Sequence, residues 1–204
     1  MKKISAILLF TCLSLTALYA QSDKVFTAYA TSLEFERAGD YKSAISTMSS
    51  VYDSADYELN LKMGYLHYYA GTYTESSKYY KKAIAILPKS VEARMGYVYS
   101  SSMLEKWEEV KLQYKAILKI DPNNSFVNYN MGLIYYNSKE YAAAYKHFDR
   151  VCRLYPFDYA NMLMFAWCNI QMHQNDEAKV WFKKVLLLSP YDKSALEGLK
   201  LTQK

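Results

Sequence analysis

The chain has little with which to do chemistry. Its three histidines, His67, His147 and His173, stand far apart, and none falls in a metal-ligand spacing such as H-E-x-x-H. No G-x-S-x-G elbow occurs. The six glycines fall mostly at turns and helix crossings, so no Gly-rich loop is present to cradle a phosphate. The acidic pairs Glu34/Glu36 and Glu108/Glu109 are adjacent or skipped along helices; they do not converge on one face and are expected to be solvated. These absences argue against an enzyme, and they imply neither a metal nor a cofactor. Low-complexity tracts are also lacking and hydrophobic residues make up 51%, which argues against a long disordered region. The net charge is +5, two of it from Lys2 and Lys3, which is too little to argue for nucleic acid.

Proline is scarce and orderly. The four prolines, Pro88, Pro122, Pro156 and Pro190, lie 34 residues apart. Without an amide proton, and with a ring that clashes with the preceding turn, each is a helix stop. Four stops at one interval predict a two-helix unit, copied and stacked. Other columns keep the same step. An aromatic recurs at Tyr80, Tyr114, Phe148 and Phe182, and an apolar residue at Ala83, Ile117, Val151 and Val185. A mostly small column runs through Gly64, Val98, Gly132 and Ala166, and another through Ser76, Val110, Ala144 and Ala178. Two helices cross closely only where side chains are small, and a ring one turn away fills the remaining space. A degenerate first copy runs through Gly39, Tyr41, Ala44, Met48 and Val51; it reaches Asp56 where a proline is expected, and the next copy follows two residues early.

These columns resemble the tetratricopeptide repeat, a 34-residue helix–turn–helix family. The phrases Gly71-Thr72-Tyr73, Lys81-Lys82-Ala83-Ile84 and Ile120-Asp121-Pro122-Asn123-Asn124 read like its turns and second helices. The resemblance covers roughly residues 25–190 and departs at Ser101, Asn169 and Asn175. It implies an all-α fold, a right-handed α-solenoid of about five repeats with a C-terminal capping helix. The expected organisation is a leader over 1–20, a degenerate repeat over 21–56, four repeats over 57–190 and the cap over 191–204. Helices are expected at 23–38 and 41–53, 57–70 and 73–86, 91–103 and 107–120, 125–137 and 141–154, 159–172 and 176–188, and 193–203.

The leader reads as a secretory signal peptide. Met1-Lys2-Lys3 is a short basic start, Ile4 to Leu18 is mostly apolar, and Ala17-Leu18-Tyr19-Ala20 offers cleavage after Ala20. The apolar stretch is shorter than a spanning helix needs, although an uncleaved anchor stays open. No second hydrophobic span follows, so an exported protein of the periplasm or envelope is expected. Export permits a disulfide between Cys152 and Cys168, but their offset along paired helices favours two buried free thiols.

In the resembling family the first helices line a concave groove. The matching positions here are Tyr29 in the first repeat, Leu61, Tyr65, Tyr68 and Tyr69 in the second, and Met95 and Tyr99 in the third. Phe126, Tyr129 and Tyr136 follow in the fourth, and Trp167 in the fifth. Tyrosine and tryptophan give large contact area with a polar handle, and methionine adapts its shape. The family's clamp for a terminal carboxylate is not rebuilt, because its places hold residues such as Tyr29, Leu33, Lys62, Gly96 and Phe126. On the opposite face the second helices carry cations, among them Lys78, Lys81, Lys111, Arg153 and Lys184. Solvation is the expected role of that face; contact with an acidic partner or anionic membrane is the alternative. The expected function is a non-catalytic scaffold of the cell envelope that holds an extended or helical segment of a partner protein. A glycan- or peptidoglycan-binding protein is one alternative, and a self-associating assembly factor another.

Overall fold

The computed structural model describes residues 23–203, so the expected leader, its cleavage site and Cys12 lie outside the described residues. Residues 23–37 are helical and form α1. They are followed by α2 (Tyr41–Ser49), α3 (Tyr57–Tyr69), α4 (Tyr73–Ile86), α5 (Val91–Met103) and α6 (Trp107–Ile120). Then come α7 (Ser125–Asn137), α8 (Tyr141–Leu154), α9 (Tyr159–Gln171), α10 (Asn175–Leu188) and α11 (Lys193–Leu201). The described residues are thus all-α, with consecutive helices packed in pairs as in a tetratricopeptide-repeat solenoid. They form two compact units, one up to Gln113 and one from Tyr114 onward.

The helix starts have a local cause. Asp56, Ser90, Asn124, Asp158 and Asp192 are spaced by 34 and cap α3, α5, α7, α9 and α11, each side chain accepting a hydrogen bond from the amide three residues on. Such a cap satisfies one of the donors that a helix N-terminus leaves bare. This corrects the reading of Asp56, which is a cap in full register and no substitute for a proline. The first copy is instead shortened behind α2, which has 9 residues against 14 in α4. Helix α2 was expected to reach residue 53 and stops at Ser49. Beyond it Ser50 Oγ donates to the Thr47 carbonyl, and Asp53 accepts from the Ala55 amide, so short polar side chains compete with the helix for backbone groups.

In the first unit α4 packs on both α3 and α5, and α3 also meets α5. The buried Tyr80 ring lies against the two glycines of those neighbours: a Cβ at Gly64 would stand 3.0 Å from it, and one at Gly96 only 2.2 Å. The second unit uses the same device. A Cβ at Gly132 would be 2.5 Å from Phe148, and one at Gly198 would be 2.1 Å from Phe182. Its core gathers Phe148, Met162, Phe165, Phe182 and Val185. Helix α11 begins 34 residues after α9, in the phase of a first helix, and packs on α10 and α9. Cys152 and Cys168 are free and buried. Cys152 Sγ accepts from Asn161 Nδ2 at 3.0 Å, and Cys168 Sγ donates to the Tyr141 carbonyl at 3.3 Å.

Candidate functional site

Six of the expected groove residues meet in one pocket of the first unit. Leu61, Tyr65, Tyr68 and Tyr69 share a face of α3, and Met95 and Tyr99 face them from α5. These spacings of three, four and seven residues bring side chains onto one helical stripe. Tyr80 from α4 forms part of the lining, reachable because Gly96 has no side chain to cover it, and Glu92 stands in the wall from α5. The cavity has a volume of about 250 Å³.

Ring-to-ring packing holds the walls. Tyr65 and Tyr69 have centroids 4.6 Å apart, and Tyr68 meets Tyr69 edge-on at 5.4 Å. Tyr68 also reaches across to Tyr99 at 6.3 Å, while Tyr41 of α2 stacks on Tyr69 at 5.5 Å. Such pairs add to the stabilisation from buried area and restrict rotamers. Burial, then the neighbouring phenols, pushes the Tyr65 and Tyr68 hydroxyls above their ordinary value. Burial followed by the Glu92 charge does the same to Tyr80. All three therefore stay neutral at physiological pH.

Tyr29 does not line this pocket. Its ring lies 5.7 Å from Lys62 Nζ, which is also 5.5 Å from the Tyr65 ring and forms an ion pair with Glu36 Oε1 at 2.5 Å. Glu36 further accepts from Ser32 Oγ at 2.9 Å, and only 8% of its side chain is exposed. The expectation that Glu36 is solvated is corrected accordingly: a charge this buried needs a cation, and α3 supplies one. Glu109 is likewise engaged. It accepts from the Tyr97 hydroxyl and lies 3.9 Å from Lys81 and 3.8 Å from Lys106. Glu34 and Glu108 are exposed, Glu108 with Lys111 at 2.6 Å.

In the second unit the expected residues do different work. Phe126 is exposed at 49%. Tyr129 packs against Phe148 at 6.1 Å, and Tyr136 against Tyr141 at 5.4 Å. Trp167 donates its Nε1–H to Ser194 Oγ at 2.9 Å and meets Phe182 edge-on at 5.2 Å. These three rings are half-buried and tie helices together. Sequence reasoning missed Glu92 and Tyr80 as pocket residues, and it placed Gly96 in the groove only as an unfilled position of the carboxylate clamp. Tyr80 stood in the recurring aromatic column, which was a signal for packing but none for exposure to a cavity.

Among the described residues no group of three or more histidine, cysteine, aspartate or glutamate side chains is placed to hold a metal. His67 Nδ1 bonds Thr72 Oγ1 at 2.8 Å while its ring stacks on Tyr79, and His147 Nδ1 bonds Asn128 Oδ1 at 3.0 Å while its ring stacks on Tyr135. His173 occupies a turn at φ 59°. Several second-helix cations are also occupied: Lys78 pairs with Glu75 at 2.6 Å and Arg153 with Asp149 at 2.8 Å. Lys184 lies 3.8 Å from the centre of the Trp181 ring. No described helix is long and apolar enough to cross a membrane.

Residues 125–158 match the tetratricopeptide repeat family model. The chain is 26% identical over 129 residues to anaphase-promoting complex subunit 3 of Schizosaccharomyces pombe, covering 62% of this chain and 19% of that protein. It thus spans about a fifth of the length of that curated relative. Its fold is similar to a crystal structure of a tetratricopeptide repeat protein from Parabacteroides merdae, with a TM-score of 0.74 and 20% identity, covering 88% of this chain and 72% of the other. It is also similar to the crystal structure of MamA protein, with a TM-score of 0.72 and 18% identity over 84% of this chain and 97% of that one. One tetratricopeptide repeat is thus matched by sequence over residues 125–158, and the fold of solved repeat proteins extends over most of the chain.

Proposed function

We propose that the chain is an exported, non-catalytic scaffold of the cell envelope that binds an extended or helical segment of a partner protein on its aromatic first-helix face. The tetratricopeptide-repeat fold supports a protein-interaction scaffold. The observation that carries the finer reading is the pocket between α3 and α5. It is a cavity of about 250 Å³ with tyrosine walls, of which Tyr69 and Tyr99 are 52% and 45% exposed. Rings fixed by one another offer contact area at little cost in rotamer entropy, which suits an anchor site for spaced side chains of a segment. Export rests on the basic–apolar leader over 1–20. The repeat boundaries that accompany this reading are 21–56 for the degenerate first copy, 57–190 for the four regular ones and 191–204 for a capping helix packed on α10 and α9.

The test is in-cell photo-crosslinking from positions 69 and 99, with Lys115 on α6 as control. One recurring envelope protein captured from both pocket positions, absent from Lys115, and lost when Tyr68→Ala is added, is the expected result. Equal capture from Lys115, or no protein adduct at either pocket position, overturns the reading; the latter outcome favours a glycan ligand.

A further inference from the structure

The chemistry of the pocket narrows its occupant, on the reading that a partner segment lies there. Twice on the first unit a tyrosine ring and a carboxylate come together, and each time a lysine lies against both. Lys62 bridges Glu36 to the Tyr29 and Tyr65 rings. Lys81 lies 5.1 Å from the Tyr97 ring and 3.9 Å from Glu109. The pocket between α3 and α5 repeats this combination with the rings of Tyr68, Tyr69 and Tyr99 and the carboxylate of Glu92; its fourth ring, Tyr65, already has Lys62 5.5 Å from its centre, but no lysine, arginine or histidine lines the pocket itself. Glu92 forms no ion pair with any described residue of the chain.

Aromatic faces carry negative potential and draw cations, most strongly where water is partly excluded. Tyr65 and Tyr68, whose hydroxyls burial pushes up, add ring faces without adding acid groups, and Glu92 provides the formal charge. Leu61 and Met95 extend the lining with apolar surface that matches the methylene stem of a long cationic side chain. Glu92 is exposed and solvated, so it opposes a carboxylate or phosphate ligand as a like charge and favours a cationic head over a neutral one. We propose that this pocket is a cage for the ammonium group of a lysine side chain carried by the bound segment, with Glu92 as its counter-ion.

The full chain, labelled with carbon-13 in its tyrosine rings, is titrated with n-butylammonium chloride as the lysine-head probe. 1-Pentanol serves as the neutral counterpart, and sodium chloride holds ionic strength constant. Saturable shifts of the Tyr65, Tyr68, Tyr69 and Tyr99 signals with butylammonium, and none with pentanol, are expected. Glu92→Gln weakens the binding about threefold, whereas Glu108→Gln, at a carboxylate outside the pocket, leaves it unchanged. Equal binding of pentanol, unaltered binding in Glu92→Gln, or no saturable shift at all overturns the cage. Crosslinking at position 99 separates the two readings. Capture of a partner without butylammonium binding overturns the lysine assignment alone. Butylammonium binding without capture overturns the partner segment, and with it lysine as the source of the cation.

Discussion

Gly71 and Gly96 are glycines for opposite reasons. Gly71 turns the chain between α3 and α4 at φ 75°, and a Cβ there would meet nothing within 4 Å. Gly96 has ordinary helical geometry inside α5, but its Cβ would strike the Tyr80 ring. Gly71→Ala should therefore cost only the left-handed conformation, about 1 kcal/mol. Gly96→Ala must displace a buried ring and should cost about 1–3 kcal/mol while altering the pocket. Urea denaturation of the two variants checks this; equal losses would mean that Tyr80 yields freely. The equivalent turn residues Glu105, Lys139 and His173 adopt the same left-handed conformation without being glycine, so pattern alone did not mark that column. At the same scale, burial pushes Cys152 up to about 12 and Cys168 up to about 11. Only the thiolate is nucleophilic, so neither thiol should be alkylated by iodoacetamide in the native chain at pH 8, and both should be once it is unfolded. Peptide mapping by mass spectrometry reads this directly, and rapid native labelling at either position would contradict the packing described.

Helix boundaries were the most legible feature, because the groups that begin and end a helix are neighbours in sequence. Each of Pro88, Pro122, Pro156 and Pro190 stands two residues ahead of a capping side chain, and the helices between them begin where expected to within a residue. What failed was α2, where no proline marks the stop and a run of short polar side chains ends the helix early. The paired elements also set a pH response. Burial lowers His67, which lies between α3 and α4, against a smaller opposing effect of Glu75; burial and then Arg150 lower His147, between α7 and α8. In each case the unfolded chain binds a proton that the folded chain resists. Stability from this source is therefore fully present above the ordinary value of 6.5 and is lost as pH falls through it toward the folded values. The denaturation midpoint should drop between pH 7.5 and pH 5. In His67→Gln/His147→Gln most of that drop should vanish, even if the double variant is less stable at every pH. An undiminished drop would place the sensitivity on the carboxylates instead.

For the whole molecule, net charge and its distribution decide which large partners are plausible. The formal charge of +5 includes a row of second-helix cations that invited an anionic surface as partner. Acidic neighbours answer several of them: Glu75 at Lys78, Glu108 at Lys111 and Asp149 at Arg153. Exposed pairs of this kind contribute little to stability, but they thin the local positive field, and salt screens what remains. Vesicles of phosphatidylglycerol and phosphatidylethanolamine at physiological salt should therefore leave the protein lacking residues 1–20 in the supernatant on sedimentation. Salt-sensitive co-sedimentation would restore the basic face as a functional surface.

By itself the sequence determined the repeat length, the helix ends and which residues share a face, since these depend on proline geometry, capping side chains and a period of 3.6 residues. The tertiary structure decided what those faces do. Tyr29, Tyr129, Tyr136 and Trp167 occupy the same kind of position as Tyr69 and Tyr99, and all six have neighbours, but Tyr69 and Tyr99 pack on other tyrosines and keep exposed surface open to a cavity. Whether a ring packs or stays available depends on what the neighbouring helix places opposite it. That partner stands from 5 residues away, as Tyr141 does from Tyr136, to 33 away, as Lys62 does from Tyr29, and which one arrives is decided only when the helices pack.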